Sequence, residues 1–180
     1  MHQFQDLANR GITFTLRALD ELNSKIIDEL QTHAPTSAVK NLQMIQLQKA
    51  ILAIGMYSLF ESILQQQLKC KNGFKKAKEL LMSENKNELL NQFNVYYLAI
   101  NVLKHGKGKS YETLISKTDL PFQIKKENQY FFCEGDVSEV STLILVDNDF
   151  VIDCANIIEK VSKEIDSIQN RTNKTTNNNG

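Results

Sequence analysis

The stretch from Ala50 to Leu64, AILAIGMYSLFESIL, constrains this chain more than any other. Wound as a helix it is apolar on almost every side, with Gly55, Ser58 and Glu61 as the interruptions. Such a helix needs neighbours all round, which predicts a bundle with this segment in the middle. Ile51, Ile54, Leu59 and Ile63 are the side chains expected to meet at least two other helices. The most apolar run, Ala50 to Phe60, is interrupted by Gly55 and Ser58 and is well short of the about 20 apolar residues that cross a bilayer, so no membrane span is expected. The N-terminus lacks the pattern of a signal peptide, and the expected location is the cytoplasm.

The neighbours are legible on either side. Ile12, Leu16, Leu19, Leu22, Ile26, Ile27 and Leu30 recur at helical spacing and predict a one-faced first helix. It should stop near His33, because Pro35 disfavours helical geometry in the residue before it. Thr36 or Ser37 can cap the second helix, which is expected to run to about Cys70. Asn72-Gly73 signals a turn. A short helix with Phe74, Ala77, Leu80 and Leu81 follows. Another carries Leu89, Phe93, Tyr96, Tyr97, Ile100 and Leu103 and ends at Gly106 and Gly108. A helical piece from Ser110 places Leu114 and Ile115 on the core. The final helix carries Phe150, Cys154, Ile157, Ile158, Val161, Ile165 and Ile168, with Asp147 or Asn148 as its cap.

The periodicity changes between Thr118 and Val146. Gln129–Cys133 and Ser141–Val146, rich in aromatic and β-branched residues, predict two short strands or extended segments. The fold class is therefore all-α: a helical bundle of four long helices plus short ones, with a small β-like insert before the last helix. Residues 1–169 form one domain, a size that buries a core without metals or disulfides. The polar stretch 170–180 is too poor in apolar groups to offset its ordering entropy and is expected to be disordered.

Formal net charge is +0, so contact with nucleic acid would need a local basic patch rather than a basic surface. Cys70, Cys133 and Cys154 are odd in number and contain no CxxC pair, the pattern of reduced thiols. His2 and His33 are isolated, and no His/Asp/Glu set has metal-ligand spacing, so no metal or cofactor is expected.

The densest polar constellation is Asn101-Val102-Leu103-Lys104-His105-Gly106-Lys107-Gly108-Lys109-Ser110-Tyr111. Asn101 and His105 are one helical turn apart and share a face. The helix C-terminus favours a charged imidazole, while Lys104, Lys107 and Lys109 oppose it by like-charge repulsion. An imidazole in a basic cluster can move a proton at a phosphodiester or hold a phosphate. It can equally be a helix end, where glycine and lysine are favoured for structural reasons. Glu61 invites the same pair of readings: a carboxylate that orients the His105 ring, or one paired or exposed elsewhere on its helix. Tyr57, Tyr96 and Tyr97 have the spacing of core residues.

Two nucleotide motifs are excluded. Gly108-Lys109-Ser110 mimics the end of a P-loop, but Leu103 stands where the first glycine is required, and a helix rather than a strand precedes it. The paired glycines fail the dinucleotide pattern because Tyr111 occupies the third position.

Tyr57-Ser58-Leu59-Phe60-Glu61 on a long apolar helix, followed by a helix ending Asn101-Val102-Leu103-Lys104-His105-Gly106, resembles the HEPN superfamily over about residues 12–169. Lys104–Tyr111 and Glu134-Gly135-Asp136-Val137-Ser138-Glu139-Val140 are also similar to uncharacterised bacterial proteins of this type. The resemblance implies a helical bundle that forms a homodimer. Many members are metal-independent ribonucleases of toxin–antitoxin and antiphage systems. Their motif is an arginine, four to six residues, then a histidine, the arginine often followed by asparagine. The asparagine falls on Asn101 and the histidine on His105, but the arginine position falls on Ile100; Leu98 and Ala99, the other permitted spacings, are apolar as well. Isoleucine cannot hold a phosphate or stabilise its charge. Lys104 or Lys107 would have to substitute, without guanidinium's two-pronged geometry.

Three functions follow as expectations. The first is a non-catalytic HEPN-like module that binds RNA, a nucleotide or a protein partner through the Asn101–Ser110 turn, with Lys107, Lys109, Ser110, Tyr111 and Glu61 as contributing residues. Its setting would be bacterial defence or a toxin–antitoxin pair, with an antitoxin or a nucleotidyltransferase-like protein as partner. The second is a metal-independent ribonuclease with His105 as general acid or base, Lys104 on phosphate and Asn101 positioning. The third is a structural subunit of a larger complex.

Overall fold

The computed structural model describes residues 2–32 and 35–177, with side chains over 4–32 and 35–171. Six helices form among these residues: α1 His2–Thr32, α2 Thr36–Gln67, α3 Gly73–Ser83, α4 Asn87–His105, α5 Lys109–Ile115 and α6 Asn148–Asn177. The architecture is an all-α helical bundle.

The breaks between helices have local causes. α1 stops at Thr32 ahead of Pro35; His33 and Ala34, where its end was expected, lie outside the described residues. Pro35 itself is the N-cap of α2, extended at φ −73°, ψ 144°, and its carbonyl accepts the Ala38 amide at 3.0 Å. Thr36 and Ser37, the expected caps, are instead the first helical residues, because proline has already set the entry geometry. Asn72 caps α3, its side chain accepting from the Lys75 amide at 2.8 Å. Gly73 follows because a Cβ there would lie 2.6 Å from the Glu61 carbonyl oxygen of α2. Asp147 caps α6 by accepting the Phe150 amide at 2.8 Å.

α2 packs against α1, α3, α4 and α6. Its start holds the insert, Gln46 accepting from the Val140 amide, and its end holds the later part of α6, Gln67 donating to Asp166. α2 and α6 thus run the same way. Tyr96 donates to Asp153 and Lys86 pairs with Glu164, so α4 runs opposite to α6. Between these helices lies an aromatic cluster: Tyr57 stacks on Phe93 at 6.4 Å, and Phe74 meets Phe93 edge-on at 5.4 Å.

α2 is not buried all round. Ala50, Ala53, Met56, Tyr57, Phe60 and Leu64 face the core, whereas Ile51 is 52% and Leu59 59% exposed. Ile54 and Ile63 are half-buried. Four neighbouring helices cover one side of α2, and no described element covers the side carrying Met44, Leu47, Ile51 and Leu59. Leu7 and Phe14 are exposed on α1 as well. By length and composition alone α2 is apolar enough to cross a membrane; in this fold its apolar residues form the bundle's centre and an uncovered stripe.

The segment between α5 and α6 forms no strand among the described residues. A single antiparallel bridge joins Ile124 to Ile144, with the Lys125 amide donating to Leu143 and the Leu145 amide to Gln123. The extended residues of Ser141–Val146 thus pair with 123–125. Gln129–Cys133 pairs with nothing in this way and exposes Tyr130 and Phe131. A buried ion pair organises the segment. Lys125 Nζ lies 3.1 Å from Glu139, with both side chains 5% exposed, and sits 4.4 Å above the Phe132 ring.

α6 continues through the polar stretch to Asn177, and Arg171 pairs with Glu84 at 2.7 Å. Of the tail expected from Asn170, residues 178–180 lie outside the described residues.

Candidate functional site

The basic turn is built by the way α4 ends. Gly106 is the C-cap, with φ +72° and its amide donating to Val102 at 2.8 Å. That left-handed geometry is what glycine supplies without steric cost. Gly108 is fully extended, and its carbonyl receives the Glu112 amide as α5 begins at Lys109. Tyr111 then anchors the turn from below: it is buried, and its hydroxyl donates to the Lys125 carbonyl at 2.8 Å. The turn and the ion-paired insert are therefore one connected unit.

Lys104, His105, Lys107 and Lys109 are all exposed on this unit. None of them has an ion-pair partner among the described residues. Asn101 is half-buried one turn before His105, and Ser110 half-buried one residue into α5. Three lysine ammonium groups and one imidazole thus stand exposed on a glycine-bent loop, with no ion-paired carboxylate against them among the described residues.

Ile100, the position that resemblance would give to arginine, is 3% exposed and belongs to the main core. Ala99 is buried beside it and Leu98 is half-buried. Of the three positions the motif would allow, Ile100 and Ala99 are turned into the bundle, and Leu98, which shares the face of His105, is half-buried and apolar.

Glu61 does not join the turn. It neighbours Phe60, whose ring lies 6.3 Å from Phe93, and its carbonyl abuts Gly73. His105 is twelve residues along α4 from Phe93, roughly 18 Å at the helical rise of about 1.5 Å per residue. The sequence pattern gave no measure of that separation, because α2 and α4 need not be in register. Tyr57 and Tyr96 are core residues, as their spacing suggests. Burial, then the Asp153 carboxylate that accepts its hydroxyl, pushes the Tyr96 phenol far up, so it stays protonated. Cys70, Cys133 and Cys154 are free thiols.

Apart from the turn, a cleft lies between α3 and α4, and the sequence pattern did not mark it. It is lined by Lys78, Asn94 and Tyr97 among others, with a volume of about 450 Å³. Comparison with protein-family models, curated proteins and solved structures finds no match for this chain.

Proposed function

We propose that this protein is a HEPN-like, non-catalytic binding module that holds RNA or a nucleotide through the Asn101–Ser110 turn. The observation that carries this reading is the unpaired basic fan of Lys104, His105, Lys107 and Lys109 on a rigidly capped loop. Charged groups held without partners are free to meet phosphates, and phosphate contacts supply most of the affinity for nucleic acid. The buried Ile100 argues against cleavage, since an isoleucine at the arginine position of the resembled motif supplies no guanidinium to balance developing charge on a phosphate. The same reading takes the protein to be a homodimer that uses the uncovered stripe of α2, and to act beside a protein partner in bacterial defence.

Binding is tested with fluorescently labelled single-stranded RNA followed by anisotropy at several salt concentrations. The wild-type protein should bind with a clear salt dependence. Replacing Lys104, Lys107 or Lys109 by alanine should each weaken binding and lower the salt slope by about 1 per lost phosphate contact. Binding that is absent, or that is indifferent to all three substitutions, would overturn the proposal.

The alternative, a metal-independent ribonuclease, draws on the Asn101–His105 pair, which shares one helix face beside the lysines. It requires RNA cutting in the presence of a chelator, lost in His105→Ala while the helical circular dichroism is kept. The expected outcome is that the wild-type protein binds RNA without cutting it.

A further inference from the structure

Lys78 of α3 is a cation in an unusual setting. Its Nζ donates to Asn94 Oδ1 at 2.7 Å and lies 3.7 Å from the centre of the Tyr97 ring and 5.8 Å from that of Phe93. It has no carboxylate partner among the described residues. An ammonium has three hydrogens to place; one goes to an amide oxygen and another faces an aromatic ring, while the charge itself is not neutralised. Burial lowers its pKa from the ordinary lysine range to about 8, the sign of a charge that has lost water without gaining an anion.

The cleft in front of Lys78 shows the same imbalance. Asn72 and Asn94 both spend their side-chain oxygens, on the Lys75 amide and on Lys78 respectively. Their Nδ2 groups then face no hydrogen-bond acceptor among the described residues, and Asn91 makes no side-chain hydrogen bond there at all. Lys75 adds a second cation to the rim. The carboxylate of Glu79, also on the rim, is engaged by Lys76 at 3.5 Å. Phe74, Leu90 and the exposed Met82 supply apolar wall. The cleft thus joins two ammonium groups and free amide donors to a largely apolar lining, with Glu79 and the Asn91 oxygen as the acceptors at its rim. Its volume, about 450 Å³, is in the range of small-molecule sites.

We propose that the α3–α4 cleft binds a small flat organic oxyanion, a carboxylate or phosphate monoester on an aromatic body, with Lys78 as its charge partner. The oxyanion takes the free hydrogen of Lys78 and the amide donors of Asn94 and Asn91. The ring lies against Met82 and Leu90. This site is separate from the basic turn and does not depend on the reading given to it.

The test uses the intact protein and pyridoxal 5′-phosphate as probe, which joins an aromatic phosphate monoester to an aldehyde. The Lys78 amine adds to the aldehyde carbon, water leaves, and borohydride reduces the resulting imine to a stable amine that is mapped by peptide mass spectrometry. Lys78 should be labelled several-fold above Lys75, Lys76 and Lys86. Excess benzoate or phenyl phosphate should suppress the label, and whichever protects better names the head group. Inorganic phosphate should protect weakly. Lys78→Arg keeps the charge, and so should lose the label yet keep the thermal stabilisation by the protecting anion; Lys78→Met should lose both. Uniform labelling of surface lysines, or labelling that neither anion suppresses, would overturn the proposal. Protection by inorganic phosphate equal to that by the aromatic anions would overturn the part played by the apolar wall.

Discussion

Ile100 and His105 sit five residues apart on α4 and live in different media. Ile100 is 3% exposed inside the core, while His105 stands in solvent at the helix end. That difference decides what mutagenesis can ask of the site. Ile100→Arg, which would restore the arginine of the resembled motif, forces an unpaired charge into the bundle and should destabilise the fold by about 3 kcal/mol. Chemical denaturation should show a lower midpoint and no gain of RNA cutting. His105→Ala, by contrast, should shift stability by no more than about 0.5 kcal/mol, as exposed substitutions do. At this scale the sequence was most legible where chemistry is local. Asn72-Gly73 as a turn, Gly106 as a stop and Asp147 as a cap each depend on a few neighbouring backbone groups. Lys78 was illegible for the opposite reason: its setting is made by Asn94 and Tyr97, on another helix, and nothing in its own neighbours along the chain announces them.

Among the elements, the helices were readable from their periodicity and the insert was not. Its aromatic and β-branched residues do favour extended backbone, and Ile144 does pair across to Ile124. What the pattern could not reveal is that the segment is tied by a polar contact rather than a ladder. Glu139 accepts the amides of Phe132 at 2.9 Å and Cys133 at 2.7 Å while pairing with Lys125. Burial pushes its carboxyl up, but those two amides and the ammonium outweigh burial and hold it below the ordinary value. A carboxyl lowered in the folded state contributes stability above its ordinary pKa and loses it as pH falls through the folded one. The insert should therefore loosen on acidification below pH 4.5, the ordinary glutamate value. Hydrogen exchange at the Lys125 and Leu145 amides would report this. Glu139→Ala strands Lys125 as a buried charge and should cost about 3 kcal/mol at neutral pH. Because Tyr111 donates to the Lys125 carbonyl, the same variant should also weaken RNA binding at the turn. Exchange at those amides that is insensitive to both acid and Glu139→Ala would mean that the pair is not what holds the insert.

At the scale of the whole molecule, α2 explains both what the sequence conveyed and what it concealed. An apolar helix announces neighbours, but not whether they all belong to the same chain. Four of its neighbours do. The remaining side carries Met44, Leu47, Ile51, Gly55, Ser58 and Ser62 at spacings of three or four, with Leu59 at its border, a seam suited to another helix. From Met44 to Ser62 it runs roughly 27 Å at the helical rise. Two such stripes related by a two-fold axis would meet themselves, the commonest symmetry of soluble oligomers. Gly55 separates the explanations. A Cβ added there meets nothing within 4 Å, so in a monomer Gly55→Ala should only improve helix propensity, stabilising the fold by up to about 1 kcal/mol. In a dimer whose helices cross at the small residues Gly55 and Ser58, the same methyl group presses on the partner and should raise the dissociation constant. Sedimentation should therefore show a dimer for the wild type, weaker self-association for Gly55→Ala with a raised monomer melting temperature, and a monomer for Ile51→Glu with its helical circular dichroism intact. A wild-type protein that sediments as a monomer at tens of micromolar would remove the second copy from the stripe and leave it to a different partner.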